Sequence, residues 1–352
     1  MSWTDRISYT EKGTHPMLNQ RDENSKNALA VMENAGALFE VHYPAARWHD
    51  EDGLSPVPMV ESGVNQGNPL YKWAVRKDTD IPLGLHSGNY AQTDSYRYLG
   101  EMAEQLFPNS TESCTLFGKG ERMALAQNIG DPIDLGNGDI IKPQVMWVSS
   151  FNGQWSTSVY HLTHRWFCMN QMAGAGAIFK VKHTKNHNFT FEERSGILKE
   201  AMEHAETVAR MARTLKDQEY SDQQFAALVK TIVPLPKAYN DDGDIHAVAE
   251  RRMKENRDAM TLTWRTECTE FGTVRKPTGQ IETVLTSMSP SEQVEIFDGN
   301  KWLAYNAVQG AEQHNINARF QQTTAARERA LTKAVNGTTP FAERAWDLLN
   351  AN

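Results

Sequence analysis

The spacing of apolar positions changes character along the chain, and each change marks an element. Residues 1–24 are polar and aperiodic, which predicts a flexible arm. Lys26 to Ala35 carries apolar residues at helical spacing and runs into Gly36, a residue suited to close a helix. Leu38 to Tyr43 alternates toward a short strand, and His49 to Gln66, rich in Asp, Glu, Gly and Pro, reads as a loop. Tyr71 to Arg76 is strand-like, and Asp78 to Asp80 offers a turn before Pro82 to Leu85. A helix is predicted from about Tyr96 to Leu106, stopped by Pro108.

The next segment is the most informative. Asn137-Gly138 and Asn152-Gly153 each suit a type I′ turn, whose positive φ angles match the twist of paired strands. The runs around them, Glu121 to Ile129, Ile140 to Ser150 and Gln154 to Met169, predict a three-stranded antiparallel meander. The third run is long enough that the strand should bend or project. Ala173 to Ala177, alternating Ala and Gly, reads as a flexible connector before Ile178 to Lys182.

Thr190 and Glu193 have capping-box spacing and open a long helix with Ile197, Met202, Ala205, Val208 and Ala212 on one stripe. Ser221 and Gln224 repeat that spacing for a helix ending near Pro234. Asn240 to Asp244 forms a loop, after which helices are expected at about Ile245–Thr266, Lys301–Glu312, Thr323–Val335 and Pro340–Leu349. The fold class is therefore α+β: a three-stranded antiparallel β-meander packed on helices, with a mainly helical C-terminal part. After the arm, residues 25–235 would form the core, with the meander at about 117–170 and the long helix at about 191–215. Residues 236–352 would form the helical region.

Composition restricts the class of protein. No stretch approaches the roughly 18 apolar residues that a membrane span needs. The start Met1-Ser2-Trp3-Thr4-Asp5-Arg6 has no apolar segment behind a basic one, so no secretory signal is expected. Cys114, Cys168 and Cys268 are odd in number and widely spaced, which argues against a disulfide framework or zinc knuckle and for a reducing cytoplasm.

Charge changes the picture more than composition does. Forty-four acidic residues in 352 is one in eight, yet residues 140–191 contain none. The same window holds Lys142, Arg165, Lys180, Lys182 and Lys185, and nine aromatic residues including Trp147, Trp155, Tyr160 and Trp166. A total of −8 leaves −13 for the rest of the chain once these five cations are set apart. Cations that neutralise phosphates and rings that stack on bases together make a platform for single-stranded nucleic acid. Strands also lack acids because Asp and Glu form them poorly, and aromatic residues in strands commonly belong to the core; both readings stand at this point. Along the third strand Trp155, Thr157, Val159, His161, Thr163, Arg165 and Phe167 share one face. Ser158, Tyr160, Leu162, His164, Trp166 and Cys168 share the other. One face must pack on helices, and the pattern leaves open which.

Catalytic motifs are mostly missing. There is no phosphate-binding G-x-x-x-x-G-K-[ST], no G-x-S-x-G and no H-E-x-x-H. His161 and His164 point to opposite faces of a strand, so they do not form a metal pair, and His183 and His187 read as solvated loop residues. Asp131, Asp134, Asp139 and Lys142 superficially resemble a metal-nuclease cluster, but the acids bracket a turn, where acids are common. Cys168 reads as a buried structural thiol, with no base placed to activate it.

Several segments are similar to the phage/plasmid-like protein family, an uncharacterised domain carried mainly by bacteriophages and plasmids. These are Tyr71-Lys72-Trp73-Ala74-Val75-Arg76 with Leu83-Gly84 and Asn89-Tyr90, and Phe117-Gly118-Lys119-Gly120-Glu121-Arg122. Ser149-Ser150-Phe151-Asn152-Gly153 and Thr163-His164-Arg165-Trp166-Phe167-Cys168-Met169-Asn170 follow, the latter matching an R-x-x-C-x-N signature. Trp302 to His314 resembles the family's C-terminal helix, so the likeness spans about residues 25–350. Arg165-Trp166-Phe167-Cys168 stands where the family has R-V-V-C, and Pro236 to Pro290 has little counterpart. The order of helix, meander and long helix also resembles single-strand annealing recombinases of the Erf, RecT and Red beta superfamily, a likeness of fold alone.

The resemblance implies a phage or plasmid single-stranded DNA-binding and annealing protein, pairing strands without ATP in the host cytoplasm as a ring or filament. No catalytic residue, metal or cofactor is expected. Lys142, Arg165, Lys180, Lys182 and Lys185 would contact phosphates, and Trp147, Tyr160 and Trp166 would stack on bases. A phage exonuclease or a host single-strand-binding protein would be a partner. The alternatives are an assembly or host-interaction protein whose hairpin joins subunits and, more weakly, a metal-dependent nuclease using Asp131, Asp134 and Asp139.

Overall fold

The computed structural model describes residues 7–9, 25–49, 56–58, 71–87, 94–165, 171–181, 191–234, 236, 247–275, 296–315 and 339–351. In chain order the elements begin β1 (Ile7–Tyr9), α1 (Ala28–Asn34), β2 (Val41–His42), β3 (Arg47–His49), β4 (Pro56–Pro58), β5 (Tyr71–Arg76), β6 (Pro82–Ser87) and α2 (Arg97–Leu106). Then come β7 (Thr111–Phe117), β8 (Arg122–Asn128), β9 (Ile133–Asp134), β10 (Ile140–Ser150), β11 (Thr157–Arg165), β12 (Gln171–Val181) and α3 (Phe191–Lys216). The last are β13 (Glu219–Ser221), α4 (Asp222–Ile232), α5 (Ala247–Phe271), β14 (Thr273–Arg275), β15 (Ile296–Asn300), α6 (Lys301–Gly310), a π-helical turn (Ala311–Asn315) and α7 (Pro340–Asn350). The fold is α+β. The chain forms two compact units, one of residues 1–132, 142–164 and 172–205, the other of 133–141, 165–171 and 206–352.

The first unit is built on a sheet of strand order β1-β7-β8-β10-β11-β12. Its core gathers Leu125, Val145, Trp147 and Val159 from the sheet with Val31 and Met32 of α1, Leu99 and Ala103 of α2, and Ile197 and Ala201 of α3. Helix α1 forms where predicted: Asn27 Oδ1 accepts the free amides of Leu29 and Ala30, and Gly36 ends it at φ 69°. A second sheet, β2-β5-β6, lies against the loop after β10. Gly84 sits so close to it that a Cβ would be 2.6 Å from both Asn152 Cα and the Phe151 carbonyl oxygen. His86 Nε2 hydrogen-bonds that same carbonyl.

The second unit is mainly helical. Phe225 of α4 stacks on Trp264 of α5 with centroids 4.6 Å apart and planes 10° from parallel. Asp222 accepts the Trp264 indole N–H at 2.6 Å. Ser221 and Gln224 form the predicted capping box. Helix α6 is buried from Trp302 to Gly310. Glu312, in the π-helical turn, accepts the Phe341 and Ala342 amides that begin α7. A small sheet, β13-β15-β14, completes the unit.

Several elements depart from the periodicity reading. The meander starts one strand earlier, because β7 pairs with β8 from Thr111↔Gln127 to Phe117↔Arg122. Thr111 to Phe117 mixes polar and apolar residues without strict alternation, since a strand buried on both faces need not alternate. The third strand is described from Thr157 to Arg165, three residues later at its start than predicted, and its predicted end at Met169 lies outside the described residues. Ala173 to Ala177 lies within β12 and is not a connector: Ala and Gly are weak strand formers, but pairing beside β11 supplies the backbone hydrogen bonds that hold the run extended.

The two Asn-Gly pairs also divide. Asn137 and Gly138 both take positive φ (57° and 77°), but they join β9 to β10. At Asn152-Gly153 only Gly153 does (73°), and the Ser150 hydroxyl closes a longer loop through both the amide and the carbonyl of Trp155. Leu38 to Tyr43 yields only the two-residue strand β2, and the small sheet of the second unit was not predicted. Thr190 and the predicted helix Thr323–Val335 lie outside the described residues.

Candidate nucleic-acid interface

The structure divides the predicted contact residues into buried, half-buried and undescribed. Lys142, near the start of β10, is 8% exposed, and its Nζ stands 3.7 Å from Glu112 Oε1 on β7. Gln144 donates its side-chain amide to Glu112 and, at 2.8 Å, to Asn128 Oδ1. A buried cation beside a buried carboxylate has exchanged its hydration for that pair, which leaves it no face for a polyanion. Trp147 is fully buried. Its indole N–H donates to Gln127 Oε1 at 2.8 Å, and the Gln127 amide donates to the Ala103 and Phe107 carbonyls at the end of α2. Lys142 and Trp147 are thus parts of the core, where they were expected at an interface. Strand β10 is buried from Ile141 to Ser150, so the acid-free character of this strand follows from burial.

The face of β11 that packs on helices is the odd-numbered one. Val159 belongs to the core, and the Thr157 hydroxyl bonds the Tyr98 hydroxyl of α2 at 2.8 Å. His161 stacks on His204 of α3. Tyr160, half-buried, is on the other face beside buried Leu162. Arg165 is the last residue of β11, and Lys180 is the penultimate residue of β12. Trp166, Lys182, Lys185 and Cys168 lie outside the described residues.

The acids once grouped as a nuclease candidate do not converge. Asp139 is fully buried; its Oδ2 accepts the Trp302 indole N–H at 3.0 Å and stands 3.7 Å from Lys216 Nζ. Lys216 also donates to the Leu135 and Gly136 carbonyls, 2.9 Å each. Asp134 is turned to its own loop, accepting the Gly136 amide at 2.7 Å. Asp139 therefore anchors the turn before β10 onto α3 and α6. Among the described residues, no three or more His, Cys, Asp or Glu are grouped to hold a metal ion. Cys114 and Cys268 are buried, and burial pushes both thiols far above their ordinary pKa, so neither is a thiolate nucleophile.

Sequence reasoning missed the polar groups that these strands bury. Glu112, Gln127 and Gln144 carried no motif, and their only signal is that polar residues interrupt runs otherwise read as strand. His204 lies on the predicted helix, but its partner His161 is 43 positions away and no local pattern links them.

The described residues define an α+β protein whose antiparallel sheet packs on helices, with Arg165 and Lys180 at the ends of β11 and β12. The chain belongs to the family described as Domain of unknown function (DUF932), whose match spans residues 88–334 and so includes the sheet from β7 to β12 and helices α2 to α6. No curated protein and no solved structure matches the chain. The family is an uncharacterised one, as the resemblance implied, and the match connects the chain neither to bacteriophages nor to the Erf, RecT and Red beta proteins. Among the described residues, no helix is long and apolar enough to cross a membrane.

Proposed function

We propose that the chain is a phage or plasmid single-stranded DNA-binding protein that promotes strand pairing in recombination without nucleotide hydrolysis. The observation that supports this reading is charge segregation: 52 consecutive residues without an acid, in a chain otherwise at −13. With Lys142 and Trp147 placed in the core, the contact set reduces to Arg165, Lys180, Lys182 and Lys185 for phosphates and Tyr160 and Trp166 for bases. Annealing asks for no catalytic residue. Neutralising the backbone lowers repulsion between two strands, and stacking on exposed rings holds bases apart until a complement arrives.

Fluorescence polarisation of a labelled oligonucleotide across a salt series tests the reading. Four phosphate contacts on a single strand give a slope of log affinity against log salt of about −3. A flat salt dependence, or an unchanged affinity for Lys180→Glu/Lys182→Glu, would contradict it. A second reading has one observation in its favour. Strand β12 is last in the sheet order, and a terminal edge can accept a strand from another copy. Under that reading the same double substitution changes the oligomer's mass in light scattering and leaves any DNA affinity untouched.

A further inference from the structure

In the first unit, at the contact of β11 with the middle of α3, His161 and His204 stack ring on ring. Their centroids are 4.5 Å apart and their planes 27° from parallel. His161 Nδ1 and His204 Nε2 are sealed from solvent, and neither has a hydrogen-bond partner among the described residues. The Thr163 hydroxyl, two residues along the same face of β11, is likewise buried and unpartnered. Two unbonded ring nitrogens in one packed contact call for a reason, because buried polar groups in folded proteins are nearly always bonded. Metal ligation does not supply one. A metal–nitrogen bond lies in the plane of the imidazole at about 2 Å, and two rings this close to parallel cannot aim in-plane lone pairs at a single ion.

We propose that the His161–His204 stack is an acid-sensitive latch that holds β11 to α3 while both rings are neutral and releases it when either takes up a proton. Two neutral imidazoles pack as aromatic rings. A proton on either places a cation against its neighbour, in a contact where neither buried ring nitrogen has a hydrogen-bond partner among the described residues. The ionisable residues of α3 on this side, Lys199, Glu200, Glu203 and Glu206, are exposed, and Lys199 pairs with Glu203. On β10, the neighbouring strand, Lys142 is paired to Glu112 of β7. Lys180 is the one ionisable residue of β12, on the other side of β11. The groups that bear on the titration are therefore burial first and the other histidine second. Both hold His204 down to about 4 against an ordinary 6.5, and burial also lowers His161.

The sign follows directly. The folded state binds the proton later than the unfolded chain does, so the latch is at full strength above pH 6.5 and is lost as pH falls toward about 4. Its local partners are Ile197, Ala201 and Ala205, which pack α3 on the same unit, so release would loosen the N-terminal half of that helix. The latch is independent of any nucleic-acid binding.

Urea unfolding of the full chain at about pH 7.5 and about pH 4.5 tests it, with His161→Phe/His204→Phe as the comparison. Carboxylates titrate in both proteins, so the difference between them isolates the pair. The wild-type unfolding constant should rise about 10- to 100-fold more than the variant's over that drop, the lower figure allowing for partial exposure of the rings. An equal rise in both overturns the proposal. Should the variant not fold, histidine ring resonances of the wild type, followed by NMR through the same range, decide. The His161 and His204 rings titrating below the ordinary 6.5, with amide broadening over β11 and the middle of α3, support the latch; either of the two titrating at or above 6.5 refutes it.

Discussion

Replacing Trp147 by Phe separates a core role from a ligand-stacking role for this residue. The indole is fully buried, and its N–H donates to Gln127 Oε1 at 2.8 Å. The Gln127 amide holds three acceptors at 3.2 Å each: the Ala103 and Phe107 carbonyls and the Thr111 hydroxyl. Rotating Gln127 to find a new donor would break these bonds, so in the Phe variant its Oε1 stays buried and unbonded. An unsatisfied buried acceptor costs about 1–3 kcal/mol, and the smaller ring adds about 1 kcal/mol of lost packing. The sum, about 2–4 kcal/mol, should lower the urea midpoint of the first unit with the slope unchanged. Gln127→Met in the Trp147→Phe background removes the orphaned acceptor and should recover part of the loss, giving a coupling of about 1 kcal/mol in a double-mutant cycle. Oligonucleotide affinity should be unaltered at temperatures where the variant is folded. A variant of undiminished stability with weakened binding would refute the argument and return Trp147 to the set of stacking residues.

Other perturbations follow the same logic. Lys216→Met removes the cation 3.7 Å from buried Asp139 and should cost about 3 kcal/mol in denaturant unfolding. Adding Asp139→Asn should restore much of that, whereas a catalytic Asp139 would show its effect in nuclease assays and not in stability. Gly84→Ala introduces a Cβ at 2.6 Å from backbone atoms of Phe151 and Asn152 and should destabilise by about 1–3 kcal/mol, read as a fall in melting temperature. Ser221→Ala breaks the capping box of α4 and should cost about 1 kcal/mol; Ser221→Asp, another good N-cap residue, should cost less.

Local chemistry was legible wherever it acts over a few residues. The Gly36 and Asn137-Gly138 backbone conformations, the Ser221–Gln224 box and the helices α2, α5, α6 and α7 follow from cap chemistry and 3.6-residue spacing, and all were readable without coordinates. Partnership across the sheet was not. Lys142 and Arg165 look alike in a charge count, but Lys142 faces Glu112 from a strand that lies three elements earlier in the chain, and only the pairing order β7-β8-β10 brings the two together. The acid-free segment was visible at once, whereas the burial of β10 within it depended on packing against distant segments.

The chain by itself determined the class of fold, the positions of most helices and turns, and the segregation of positive charge, because each of these depends on neighbours within one or two turns of backbone. Tertiary structure alone decided which cations and aromatic rings stay in water, which acids become anchors, and that two histidines 43 positions apart meet face to face. Burial and partner choice are properties of surfaces that exist only after distant segments pack, and no local pattern carries them.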